Sequence, residues 1–163
     1  MSTSSIISIR ELGALDLVCF LLQRTVSVRI KVSGKSMRPL LRGGETVEIV
    51  PFDERCPPKI GDILLTCDQH GNPLVHRMCR KYCIHNEWYV QTKGDACAYF
   101  DSPVPLSQIL GRVQRIFNND TVVDLQHPFF RIKSQLIVNL GVTKYYIRRA
   151  ALLAKKQYMK VAA

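Results

Sequence analysis

Acidic residues are missing from the end of this chain. From Leu125 onward there are 8 Lys and Arg and no Asp or Glu, whereas the residues up to Asp124 hold 15 basic and 13 acidic side chains. The formal charge of +10 therefore sits in one segment. That asymmetry excludes an all-over nucleic-acid-binding surface. No aromatic or Gly-Arg pattern for stacking on single strands accompanies it, so no nucleic-acid partner is expected. A long apolar run is also lacking: the longest, LDLVCFLL at 15–22, is too short for a membrane span and contains Asp16. Met1–Ser8 has no basic stretch and no plausible cleavage site, so no secretory signal is expected. Six cysteines (Cys19, Cys56, Cys67, Cys79, Cys83, Cys97) lack the spacing of a disulfide framework and fit a reducing, cytoplasmic compartment. There is no internal repeat, low-complexity tract or linker, which predicts a single domain over 1–163.

What is present divides into three stretches. Apolar residues at helical spacing (Ile6, Ile7, Leu12, Leu15, Val18, Phe20, Leu21, Leu22) predict one amphipathic helix over Ser4–Gln23. Between 25 and 125 the chain is punctuated by GG, PP, GD, HGNP, GD and NND. Between these lie short alternating or β-branched runs: VSVRIKV, ETVEIV, GDILLT, LVHRMC, EWYVQT, ILGRVQRIF and TVVDL. Short strands at such spacing predict an antiparallel, mainly β core. Over 128–160 the pattern is helical again and basic, with an interruption expected near Gly141 and Val142. The fold class is thus mainly β with helices at both ends.

Residues 33–39, SGKSMRP, offer two chemistries. A phosphate loop requires a glycine five residues before Gly34 and a helix after it; Arg29 stands in the first place and Pro39 blocks the second. The alternative is that Ser36 is a nucleophile, which needs a base because a free hydroxyl attacks poorly at neutral pH. Of four histidines, His70 and His127 border turn signals and His85 lies at a bend before Asn86. His76 stands inside a predicted strand and is the best base. A carboxylate that orients the imidazole would come from TKGDACAYFD, which holds both Asp95 and Asp101.

The series SGKSMRPLLRGGE, IGDILL, VHR, TKGDA with Asp101 beyond it, and ILGRV resembles the signal peptidase I family. It is most similar to the endoplasmic-reticulum and archaeal branch, whose base is His. The likeness runs from about Lys31 to Val113 and rests on five motifs in order. It implies a serine endopeptidase acting after small residues of a leader or precursor peptide, without a cofactor. It assigns Ser36 as nucleophile, the Ser36 backbone N–H as oxyanion donor, His76 as base and then acid, and Asp101 as the group that holds the imidazole. Asp95 would share that role or organise the turn. Met37 would anchor the loop beneath the site, and Ser33 would help with the oxyanion, since the family's usual helper position is Gly34 here. The family carries a membrane anchor before the S-M-x-P strand; this sequence has the amphipathic 4–24 stretch there.

Other readings compete. His76, Cys79, Cys83 and His85 form H-x-x-C-x-x-x-C-x-H, but alternation along a strand separates His76 from both cysteines, so no metal site is expected. Arg77, the neighbour of His76, is expected to point away from the site to the surface. A silent peptidase-like module could instead work through KYYIRRAALLAKKQYMK, whose basic helix suits an anionic membrane or an acidic partner.

Overall fold

The computed structural model describes residues 6–8, 13–53, 55–119 and 121–161, with side chains over 13–53, 55–119 and 121–153. The N-terminal segment is not one helix. Ile6–Ser8 forms strand β1, parallel to β2 (Val28–Lys31), and helix α1 (Ala14–Gln23) begins only after Gly13. Gly13 takes φ +83, a left-handed conformation that glycine adopts without steric cost and that sets the helix start. Two adjacent isoleucines satisfy a helical pattern and a β-strand equally, so periodicity misassigned them. The remainder of that predicted helix, at residues 4–5 and 9–12, lies outside the described residues. In α1, Ala14, Val18 and Leu22 recur at four-residue spacing and are buried on one face, the latter two in the main core.

The sheet contains β3 (Thr46–Pro51), β4 (Ile63–Cys67), β5 (Pro73–Ile84), β6 (Glu87–Lys93), β7 (Val104–Pro105), β8 (Gly111–Asn118) and β9 (Thr121–Asp124) as well. Its order is β1-β2-β3-β8-β4-β5-β6-β7, with β9 paired to the same end of β8 that meets Thr46–Glu48. Every pairing beyond β1–β2 is antiparallel. The main core joins Val18 and Leu22 of α1 to Ile30, Val47, Ile49, Ile63, Leu65 and Val113. A smaller cluster of Leu64, Met78, Val90 and Ile109 sits on the opposite side of β4. The long β5–β6 hairpin turns at His85 and Asn86, both at positive φ, the pair of conformations that suits the twist of a two-residue hairpin loop.

Helix α2 (Pro128–Val161) is continuous. The interruption expected near Gly141 and Val142 is absent: a glycine inside a helix costs only about 1 kcal/mol, and contacts with the sheet on either side of it hold the helix. The helix reaches the sheet through Arg131, which hydrogen-bonds Asp62, through Ser134 beside Gly61, and through the buried Val138. Gly61, at φ +96, brings the turn before β4 so near that its missing Cβ would stand 3.2 Å from that of Ser134.

Candidate active site

Ser36 opens a single helical turn whose hydrogen bond runs from Leu41 N–H to Met37 C=O at 3.0 Å. Met37 and Leu41, four residues apart on one face, are both buried in the main core and pin this turn to the sheet. The chain then reverses at Gly43–Gly44, where the Glu45 carboxylate accepts the N–H of Arg42 (2.9 Å) and of Gly43 (2.8 Å). Burial alone would raise the Glu45 carboxyl; these backbone donors outweigh it and leave it below its ordinary value. Glu45 is therefore a positioning residue for the Ser36 loop that sequence reasoning did not single out, although it closes the RGGE motif.

His76 stands on β5 and Asp101 at the end of the loop that leaves β6. The loop returns because Asp101 N–H donates to Thr92 C=O at 2.9 Å, and Gln91 Nε2 donates to the Asp101 carbonyl at 3.0 Å. Its carboxylate then meets two donors, His76 Nδ1 at 2.8 Å and Thr92 Oγ1 at 2.6 Å. Burial raises the Asp101 carboxyl, and these hydrogen bonds more than offset that, so the group lies below the ordinary carboxylate value. An ionised carboxylate only accepts; the proton of His76 is thus on Nδ1, and its Nε2 is free to accept from Ser36 Oγ at 2.9 Å. Thr92 was not recognised in the sequence. The signal available was its register: Thr92 pairs with Met78, two residues from His76 on one face of the hairpin.

Asp95 lies elsewhere. Its two oxygens accept from Arg77 Nε (2.8 Å) and Nη2 (2.7 Å), and Arg77 is 1% exposed. The expectation of a surface arginine fails because the face of β5 opposite His76 is covered by α2: Arg77 Nη1 also donates to Ser134 Oγ at 2.7 Å and Gly61 C=O at 3.0 Å. Alternation separated the two side chains as expected, but both faces of the strand are buried. The Gly94-Asp95-Ala96 segment nevertheless reaches the Ser36 turn through its backbone, Ala96 N–H donating to Ser36 C=O at 2.8 Å. A Cβ on Gly94 would lie 2.8 Å from that oxygen and 2.7 Å from Cys97 Sγ, which is why only glycine fits.

A groove of about 480 Å³ runs past Ser36 and His76. Ser33, Gly34, Pro73 and Leu74 line it together with Met37, which is buried in the main core. The cysteines of the H-x-x-C-x-x-x-C-x-H series diverge: Cys79 is buried, with its thiol pushed up to about 11 by burial, while Cys83 and His85 are exposed. Among the described residues no cluster of His, Cys, Asp and Glu has the arrangement of a metal site. No helix among them is long and apolar enough to cross a membrane. Searches of known protein families, curated proteins and solved structures find no match to this chain.

Proposed function

We propose that this protein is a serine endopeptidase that cuts a leader or precursor peptide, with Ser36 as nucleophile, His76 as general base and acid, and Asp101 as the residue that orients His76. The observation that carries the reading is the continuous chain from Ser36 Oγ to His76 Nε2 (2.9 Å) and from His76 Nδ1 to Asp101 (2.8 Å). Such a chain lowers the cost of removing the serine proton and keeps the imidazole in one tautomer. The resemblance of five ordered motifs to signal peptidase I supports it independently.

In this mechanism a peptide lies extended in the groove, and Ser36 Oγ attacks the scissile carbonyl while its proton passes to His76 Nε2. The oxyanion takes a hydrogen bond from the Ser36 backbone N–H, a type of contact worth about 3 kcal/mol in the transition state. His76 then gives the proton to the leaving amine; water next attacks the acyl-enzyme carbonyl as His76 takes its proton, and the acid product leaves as that proton returns to Ser36 Oγ. Small side chains before the cut follow from the family likeness. Asp95, committed to Arg77, supports the loop rather than the imidazole.

The test is to incubate the purified protein and its Ser36→Ala and His76→Ala variants with a pool of leader and precursor peptides and read the products by mass spectrometry. Cuts after small residues that vanish in both variants are expected. Products that persist in Ser36→Ala would sink the assignment.

A further inference from the structure

Helix α2 is amphipathic twice over. One face meets the sheet through Ser134, Val138 and Tyr145, the last stacked edge-on against Phe100 at 4.6 Å. The opposite face carries Phe129, Ile132, Leu136, Leu140 and Ile147, all between 58% and 65% exposed. At about 100° per residue these five fall within a band of about 80°, with Phe129 and Ile147 at the same azimuth about five turns apart, turned away from the packed face. A stripe that stays straight fits a flat surface; a heptad seam, which drifts round a straight helix, would instead call for a supercoiled partner helix.

Charge decides what that surface is. Lys133, Lys144 and Arg148 stand along one flank of the stripe, and no acidic residue occurs anywhere from Leu125 onward. A recess of about 360 Å³ opens on the same flank beside Leu140, bounded by Lys144, Arg148 and the buried Lys93. The one carboxylate in its wall, Asp95, is already held by Arg77. A second copy of the chain would present the same positive face and be repelled. From the straight apolar stripe and its basic flank we infer that α2 is a docking surface for an anionic lipid bilayer, with the stripe entering the interface and the flank meeting headgroup phosphates. Because α2 covers the Arg77 face of β5 and His76 points the other way, lipid, helix, sheet and groove follow in that order. A docked protein therefore opens its Ser36 site toward water, away from the bilayer.

The inference does not depend on the peptidase reading, and the experiment is run on Ser36→Ala as well as on the parent chain so that the two fail separately. Both proteins are co-sedimented with vesicles of phosphatidylcholine alone and with about 30% phosphatidylserine, in NaCl from about 0.05 to 0.5 M. Binding is expected only to the anionic vesicles, falling steeply with salt. Lys144→Glu with Arg148→Glu should weaken it by about fivefold per charge removed. Leu136→Glu with Leu140→Glu should weaken it by at least about tenfold, with circular dichroism unchanged because all four side chains are exposed. Failure to bind anionic vesicles at low salt overturns the proposal. So does equal binding to both vesicle types, or a dimer by sedimentation velocity that depends on Leu136 and Leu140 and forms in place of vesicle binding.

Discussion

Arg77 holds Asp95 through two hydrogen bonds of 2.8 and 2.7 Å, one residue along β5 from the His76 that binds Asp101. Consecutive side chains thus serve opposite faces of one strand, each with its own carboxylate. Removing one partner of a buried pair leaves a charge without compensation, at a cost of about 3–5 kcal/mol. Asp95→Ala is accordingly expected to shift the urea midpoint strongly. Asp101→Asn, whose carboxylate is partly exposed, should leave the midpoint nearer the parent while abolishing most Ser36-dependent cleavage. Equal stability losses for the two variants would refute this division of labour.

Acid should destabilise the protein through the site itself. Asp101 and Glu45 both titrate below their ordinary values of 3.8 and 4.5 in the folded state. A depressed folded pKa contributes stability that is present above the unfolded value and is lost as pH falls through the folded one. Urea midpoints measured downward from neutral pH should therefore begin to fall near pH 4.5 and continue below 3.8. In Glu45→Gln and in Asp101→Asn the fall should be shallower; an unchanged slope in both would remove these groups from the account.

Gly94→Ala tests how the Ser36 turn is held. The added Cβ would lie 2.8 Å from Ser36 C=O and 3.0 Å from Ser36 Cβ, so the turn and the Gly94 segment must separate. The expected result is a lower melting temperature and a larger fall in cleavage than stability explains. Gly71→Ala is the contrast: it has a positive φ, +80, which Gly94 does not, and nothing lies within 4 Å of its Cβ. A Gly94→Ala variant that keeps the parent's melting temperature and cleavage would refute the close-packing account of this turn.

Thiol reactivity should sort the cysteines. Burial raises the Cys79 thiol to about 11, and little thiolate forms at neutral pH. Cys56 and Cys83 are exposed. In native protein a charged alkylating reagent followed by peptide mapping should label those two within minutes and Cys79 only after denaturation. Fast native labelling of Cys79 would mean that the β5–β6 hairpin opens locally.

Much of the fold was legible because local signals agreed. The alternation of VSVRIKV, ETVEIV and EWYVQT, and the turn residues between the runs, gave the strands of an antiparallel sheet close to where they occur. The signals failed where one pattern served two structures. Ile6 and Ile7 fit a helix but pair with β2, and Gly141 looks like a break but lies inside a continuous helix. The candidate site was legible as a set of residue types, Ser36, His76 and two acids, within motifs that resemble a known family.

The sequence by itself determined which groups were available and that His76 and Arg77 must part to opposite faces, since alternation is a property of any strand. Only the tertiary structure decided between the acids. The 94–101 loop folds back on Thr92, which delivers Asp101 to the imidazole and leaves Asp95 against the arginine under α2. That choice depends on where a helix from the far end of the chain covers the sheet, and contacts between residues so distant in sequence leave no local pattern from which to read them.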